Sequence, residues 1–459
     1  MLGSIIQESA EKYIKKMTEI LGVEKIVGIE ELDRALYELM GELLSLIVSA
    51  YIEEIDAGIM TDELGRKEAG VVIERRKVPR SVQLRIGEVK YERTYYKIKS
   101  SGKYEYLADR AVGIKPYSRI GDELSEALSN AAVEMPYQKS AEYISLGKVS
   151  AQTVMNKLRE CEVVASEPVE VKQATVLHID ADEDHITMRG GKKSEVRLVS
   201  VYEGIEKHDK RGVCKNIFHR SGYGEDAETL WDNVLTDIES RYELGEKSTI
   251  YLHGDGASWI KTGLDELPRS KFVLDPYHKN KSIHAMTSGC EDEEQKKKVR
   301  DALSKGDRVQ LASVRDILIK QKPERTDKIN QAWQYLDNHI DGIHIREIDQ
   351  EAKNGGCTEP HISNVLSRRL SSRPVAWSDK TLSVLAPALA AKSGLRLRKT
   401  IWQPDLPPTL HNIVNAAKKK CNFAVGALAD SIGNMPLFAS HKSSFLRQAL
   451  HSLAHPIFL

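Results

Sequence analysis

The chain has 459 residues, 29% of them charged and 6% aromatic, enough for several domains and at least one large core. A formal net charge of zero excludes a uniformly basic nucleic-acid binder. Five cysteines (Cys161, Cys214, Cys290, Cys357 and Cys421) with no C-x-x-C pair argue against a zinc ribbon or a disulfide framework. The charge is uneven, however: residues 360–459 hold 13 Lys or Arg against three Asp, a net of +10, which points to a polyanion contact near the C-terminus. No basic N-terminal stretch leads into an apolar one and no run of 18 apolar residues occurs. Secretion and membrane spanning are therefore not expected, and a cytoplasmic, nucleoid-associated protein with reduced thiols is.

Residues 1–65 read as helical, with Leu32, Leu36, Leu39, Leu43 and Ile47 at helical spacing as a packing or self-association face. Residues 66–110 change to a basic β-meander with short strands at 71–73, 82–86 and 89–98 and a turn at Gly87-Glu88. Arg75, Arg76 and Arg80 lie among Tyr91, Tyr95 and Tyr96 there, a pattern that suits either a grip on a DNA backbone or a solvated sheet face. Residues 111–170 return to helix. A helix over 138–144, a turn with Gly147 and a second helix over 150–160 capped by Ser150 make a helix-turn-helix-like unit exposing Gln152, Asn156 and Lys157.

Residues 171–288 alternate. Strands are expected at 176–182, 196–202 and 213–219, then a helix at 227–242, a strand at 248–253, a helix at 258–267 and a strand at 272–274. Three consecutive strands followed by helix–strand alternation is the order of an α/β, ribonuclease-H-like fold with a mixed five-stranded sheet. Residues 289–350, highly charged, read as an all-α insertion with helices at 299–318 and 329–339. Residues 351–385 return to the core with a helix at 358–370, and 386–459 form a basic C-terminal region containing Lys418, Lys419 and Lys420.

The chemistry concentrates at strand ends. Asp180 and Asp182 are two apart, so both project from one face of their strand, beside His178. Asp255 ends the strand expected at 248–253, between Gly254 and Gly256, which permit a sharp turn and close approach of a ligand. Oxygen-only ligation by such acids suits Mg²⁺ or Mn²⁺, and two ions could activate a water or 3′-hydroxyl and stabilise the leaving oxygen of a phosphodiester. Glu359, at the start of its helix after a Thr358 cap, is the candidate third acid. Arg368, Arg369 and Arg373 follow it as candidates for a DNA backbone.

The segments His178-Ile-Asp-Ala-Asp-Glu-Asp-His185, Leu252-His-Gly-Asp-Gly-Ala-Ser-Trp-Ile260 and Gly356-Cys-Thr-Glu-Pro-His361 onward to Trp377-Ser378 resemble the ISLre-type insertion-sequence transposases. These are DDE enzymes with a ribonuclease-H-like core, related to the Mutator-type group, and the resemblance covers most of the chain. It implies Asp182, Asp255 and Glu359 as the metal-binding triad, with Asp180 as the alternative first ligand. It further implies Mg²⁺-dependent cleavage and strand transfer at element ends, terminal inverted repeats bound by the N-terminal region, and a target duplex as second DNA partner. Asp275-Pro-Tyr-His278 is similar to the [C/D]-x-x-H signature of the Mutator group, in which His278 would meet the scissile phosphate and Asp275 would orient it. Cutting two ends together calls for a homodimer on DNA. The alternatives are a nuclease of the same fold without strand transfer and a domesticated, non-catalytic DNA-binding protein.

Overall fold

A computed structural model describes residues 11–17, 19–20, 28–164, 170–208, 211–289, 292–391, 394–397 and 408–433. The chain divides into two compact units, residues 1–127 with 399–459, and residues 128–398.

In the first unit α1 (Ile29–Thr61) leads through α2 (Glu63–Glu68) into an antiparallel sheet of β1 (Val71–Leu84), β2 (Gly87–Ile98) and β3 (Tyr104–Glu105), followed by α3 (Leu107–Ala111). Of the expected leucine stripe only Leu39 is buried. The burial lies farther along α1, where Ile52, Ile55 and Ile59 meet Val71, Val89, Tyr91 and Tyr96 of the sheet. By length and composition α1 is apolar enough to cross a membrane, but core helices pass the same test and its C-terminal half is committed to this sheet. The helix Pro408–Gly433 adds Leu410, Ile413 and Val414 to the same core, so the basic C-terminal stretch contributes to folding the N-terminal unit.

The meander differs from expectation in two ways. β1 is continuous through the charged run 74–81, and the turn falls at Arg85-Ile86, ahead of Gly87-Glu88. An edge strand keeps one side in water, so charges and Pro79 are tolerated there; the irregular pairing between Ile73 and Val78, with Lys77 at positive φ, marks a bulge.

In the second unit, α4 (Asp122–Glu134) straddles the boundary, then α5 (Tyr137–Ser145) and α6 (Ala151–Arg159) form the expected helix-turn-helix hairpin. Leu146 and Gly147 both take left-handed φ at the turn, and the Ser150 hydroxyl accepts from Thr153 N at 3.2 Å as cap. Cys161–Val163 forms β4. The main sheet follows, from β5 (Lys172–Thr187), β6 (Lys193–Tyr202), the side hairpin β7 (Ile205–His208) and β8 (Arg211–Cys214), and β9 (Phe218–Gly222). After α7 (Ala227–Glu239) come β10 (Tyr242–Gly254), α8 (Ser258–Glu266) and β11 (Ser270–Leu274). The strand order is β11-β10-β5-β6-β9; β5, β6 and β9 pair antiparallel, and β10 and β11 lie parallel to β5. The mixed five-stranded α/β sheet is therefore present. Its third strand is 218–222, since Val213 and Cys214 belong to the side hairpin; both runs have β-type residues, and only the sheet edge available to them decides.

One sheet face is apolar, with Leu177, Ile179, Val199, Val201, Ile250 and Leu252 packed against Trp231 and Val234 of α7 and Ile260 of α8. Such a face stabilises by roughly 1.5–3 kcal/mol per large side chain buried. The opposite face is polar, and the site lies there.

The helical insertion comprises α9 (Pro276–Thr287), α10 (Glu293–Lys305), α11 (Arg308–Gln321), α12 (Thr326–Asn338) and α13 (Ile340–Ile348) around a core of Leu303, Leu311, Leu336 and Ile340. The expected single helix 299–318 is broken because Gly306 takes a left-handed C-cap and Asp307 caps the next helix. The chain returns with α14 (Thr358–Ile362), which runs through a π turn at Ser363–Ser367 into α15 (Arg368–Leu370). α16 (Asp379–Ala391) and β12 (Leu395–Leu397), paired with β4, complete the unit.

Candidate active site

β10 leaves the sheet at Gly254 and the chain turns at Gly256, whose φ is +87°. His253 pairs with Asp180, so Asp182 and Asp255 each stand two residues beyond the same rung of two parallel strands. Carboxyl ends of adjacent parallel strands form the crevice in which α/β folds collect ligands. Asp182 is not at a strand end, as expected from sequence, but midway along a 16-residue strand that continues beyond β10. Its Oδ1 accepts from Glu183 N at 2.8 Å, and Asp255 Oδ1 accepts from Ala257 N at 2.8 Å, which fixes both side chains.

Burial pushes the Asp182 carboxyl up to about 7, with Glu183 and Asp255 adding to the rise and His278 opposing it. Glu183 is likewise raised, chiefly by burial, although Trp259 Nε1 donates to its Oε2 at 2.7 Å. Asp182 and Asp255 therefore act on one another from neighbouring strands, and His278 feels both. Tyr335 of the insertion donates to the Asp255 carbonyl at 2.6 Å, and a side chain at Gly256 would strike His339, so α12 covers this turn.

His278 belongs to α9, which Asp275 caps by accepting from Tyr277 N at 2.8 Å and His278 N at 3.3 Å. His278 Nδ1 lies 3.4 Å from Asp275 Oδ1, an ion pair off line for a hydrogen bond. Its imidazole is raised, first by Asp275, against a lowering by burial, and further by Asp255 and Asp182. Burial alone would raise Asp275; His278, Thr358 and the two backbone N–H groups outweigh it, and the net shift is downward. The D-x-x-H pair thus adjoins the two acids.

Thr358 does not cap its helix. Its hydroxyl donates to Asp275 Oδ2 at 2.9 Å, tying the start of α14 to the D-x-x-H pair. Glu359, one residue on, is half-buried, and its side chain makes no hydrogen bond or ion pair among the described residues. Among those residues no three His, Cys, Asp or Glu side chains are gathered closely enough to hold a metal ion. The fold therefore joins Asp182, Asp255, His278 and Asp275 and brings the Glu359 segment to them through Thr358, without closing a three-acid cluster.

Asp180 occupies a different environment. It is buried, and its Oδ2 accepts from Tyr202 Oη at 3.0 Å and Cys357 N at 2.9 Å, with His361 Nδ1 at 3.0 Å. It sits in a buried rung of His219, Ser200, Asp180 and His253 across four strands, in which Ser200 and His219 are 2.7 Å apart. His253 Nε2 meets His178 Nδ1 at 3.2 Å. Burial lowers His178 to about 4 and His253 to about 3, so both rings are neutral. Gly355 lies on this pair, since a Cβ there would strike His178 Nδ1 and His253 Nε2. Tyr202, Cys214, Cys357 and His361 were not singled out from sequence. The signal was the glycine pair 355–356 next to Cys357, but its partners lie on distant strands.

Of the expected DNA contacts, Arg75 and Arg76 are exposed on β1, whereas Arg80 is held by the Ser118 and Lys115 carbonyls. Gln152 and Asn156 are exposed on α6 and bonded to each other at 3.2 Å; Lys157 pairs with Glu160 at 2.8 Å. Arg368 and Arg373 are exposed and bear no acceptor among the described residues, lining a cavity of about 270 Å³ with Arg189, Tyr137 and Trp377. Arg369 is turned inward, donating to the Ala132 and Val133 carbonyls at 3.0–3.3 Å at the C-terminal end of α4.

Residues 23–405 match the model of an uncharacterised protein family, UPF0236. A UPF0236 protein of Caldanaerobacter subterraneus subsp. tengcongensis is 37% identical over 406 residues, 87% of this chain and 85% of that protein. A second from the same organism is 36% identical over 406 residues with the same coverage, and its name stands for eleven loci of one genome. With a match spanning most of its length, the chain belongs to the UPF0236 family, whose members occur in many copies within a single genome.

Proposed function

We propose that the protein is a DDE transposase with a ribonuclease-H-like core, acting at the ends of its own mobile element. The observation that carries this reading is the placement of Asp182 and Asp255 two residues beyond one rung of parallel strands, beside His278, in the strand order β11-β10-β5-β6-β9. The multicopy occurrence of the family supports mobility.

The residues fit a divalent cation in part. Asp182 is a half-buried carboxylate raised chiefly by desolvation, next to a second acid, and the donor atoms are oxygens. Asp182 and Asp255 would hold Mg²⁺ or Mn²⁺, with Glu359 as third ligand. Asp180 is engaged by Tyr202, Cys357 and His361 and is assigned to the structural rung. When bound, two such ions would supply an activated water or 3′-hydroxyl and stabilise the leaving oxygen. His278, whose protonated form Asp275 favours, would meet the phosphate; Asp275 orients it and, through Thr358, positions the Glu359 segment. Arg368 and Arg373, together with the exposed face of α6, supply contacts to the DNA backbone. A homodimer is expected on DNA, because two ends must be cut together.

The test is strand transfer. Purified protein with Mg²⁺, a duplex bearing the element's own terminal sequence and a labelled target duplex should give joined products. Cleaved ends that never join would establish the nuclease reading, and DNA binding without cleavage the domesticated one.

A further inference from the structure

Cys214 ends β8 of the side hairpin, and Cys357 lies in the loop between Gly356 and α14. Far apart in sequence, the two half-buried thiols lie close enough for each to act on the other's ionisation, and both segments meet at the His361–Asp180 pair. Their surroundings are built. Cys214 Sγ lies 3.5 Å from His361 Nε2, and the other nitrogen of that ring lies 3.0 Å from Asp180 Oδ2. The same Asp180 oxygen accepts from Cys357 N at 2.9 Å, and Gly356 N donates to Tyr202 Oη at 3.0 Å, so the backbone beside the second thiol is anchored as well. Cys161 and Cys421, by contrast, are buried in apolar cores.

We propose that Cys214 and Cys357 are a reversible thiol–disulfide pair whose oxidation fastens the β7–β8 hairpin to the loop in front of Glu359. The oxidant is a low-molecular-weight disulfide. One protein thiol attacks it, forming a mixed disulfide and releasing one small thiol, which takes the proton. The second protein thiol then attacks the mixed disulfide at the protein sulfur, and its proton leaves with the second small thiol. Two protein sulfurs are oxidised and one small disulfide is reduced to two thiols. Cys357 is two residues from Glu359, so the cross-link restrains the segment that carries the third acid. The pair itself stands whatever chemistry those acids perform.

The experiment treats the full-length native protein with oxidised glutathione at neutral pH, alkylates the remaining thiols and maps non-reduced peptides by mass. A dithiothreitol-sensitive peptide joining Cys214 to Cys357 is expected. The Cys214→Ser variant should instead retain glutathione on Cys357. Amide exchange across 355–363 should slow several-fold in the oxidised protein. Glutathione retained on both cysteines of the native protein, or no reaction at either while a denatured sample reacts, would overturn the pair. A cross-link that leaves exchange over 355–363 unchanged would overturn the fastening. If the serine variant fails to fold, the map of the native protein decides.

Discussion

Asp182 is the residue on which the account turns, and burial makes it costly. Its folded pKa of about 7 lies above the unfolded carboxyl, so the folded state binds the extra proton between pH 4 and 7. Stability therefore falls as pH rises through that window, and the full cost is present above pH 7. Asp182→Asn should stabilise the protein at pH 8 by up to ~4 kcal/mol, the ceiling set by a shift of this size, and the gain should vanish near pH 4. Urea unfolding of both forms at the two pH values checks it. A divalent cation should remove the same cost, so Mg²⁺ should raise the melting temperature of the native protein and not that of Asp182→Asn. Gly355 supplies a second residue-scale case. It sits against the neutral pair His178 and His253. Gly355→Ala should cost about 1–3 kcal/mol, as overpacking in tight sites does, measured by denaturant titration. From sequence, Asp182 was the expected first ligand and Asp180 its alternative, because alternation puts both on one face. What separates them is the company each keeps: Tyr202, Cys357 and His361 for one, Asp255 and His278 for the other.

At the scale of elements, legibility followed local pattern. β10, β11, α7, α8, α5 and α6 were readable because apolar periodicity, caps and turn glycines agree there; the Ser150 cap is where it was expected. Ser150→Ala should cost ~1 kcal/mol. β1 was read as interrupted because residues 74–81 are charged, and only an edge strand can carry them. Residues 213–219 were read as one strand because propensity cannot choose between a side hairpin and a sheet edge. The arginines after Glu359 looked alike in sequence, yet the structure gives them different work. Arg369 satisfies the last carbonyls of α4, whereas Arg373 bears no acceptor among the described residues. Arg369→Ala should therefore lower the melting temperature, while Arg373→Ala should leave it unchanged and weaken DNA binding. The salt dependence of binding, read from a titration of affinity against ionic strength, should flatten by about one unit of slope for Arg373→Ala.

For the whole molecule, the organisation explains why the active site could be only half read from sequence. Asp182 and Asp255 come from neighbouring strands whose rung is set by the sheet. Glu359 arrives after a five-helix insertion with its own core, and Thr358 brings its helix to the site by bonding Asp275. Nothing local to residue 359 records that contact. The C-terminal basic stretch was expected to serve a polyanion, yet the helix that carries Lys418, Lys419 and Lys420 also packs Leu410, Ile413 and Val414 into the N-terminal core. Residues 434–459 lie outside the described structure. The central claim is that Asp182 and Asp255 together form the reaction centre. The most direct measurement is Mg²⁺-dependent nicking of a duplex bearing the element's end by the native protein and by Asp255→Asn, with DNA binding followed in parallel. The account predicts nicking by the native protein, a loss of at least about a hundredfold in the variant, as expected when a metal ligand is removed, and unchanged binding. Full nicking by Asp255→Asn would contradict it.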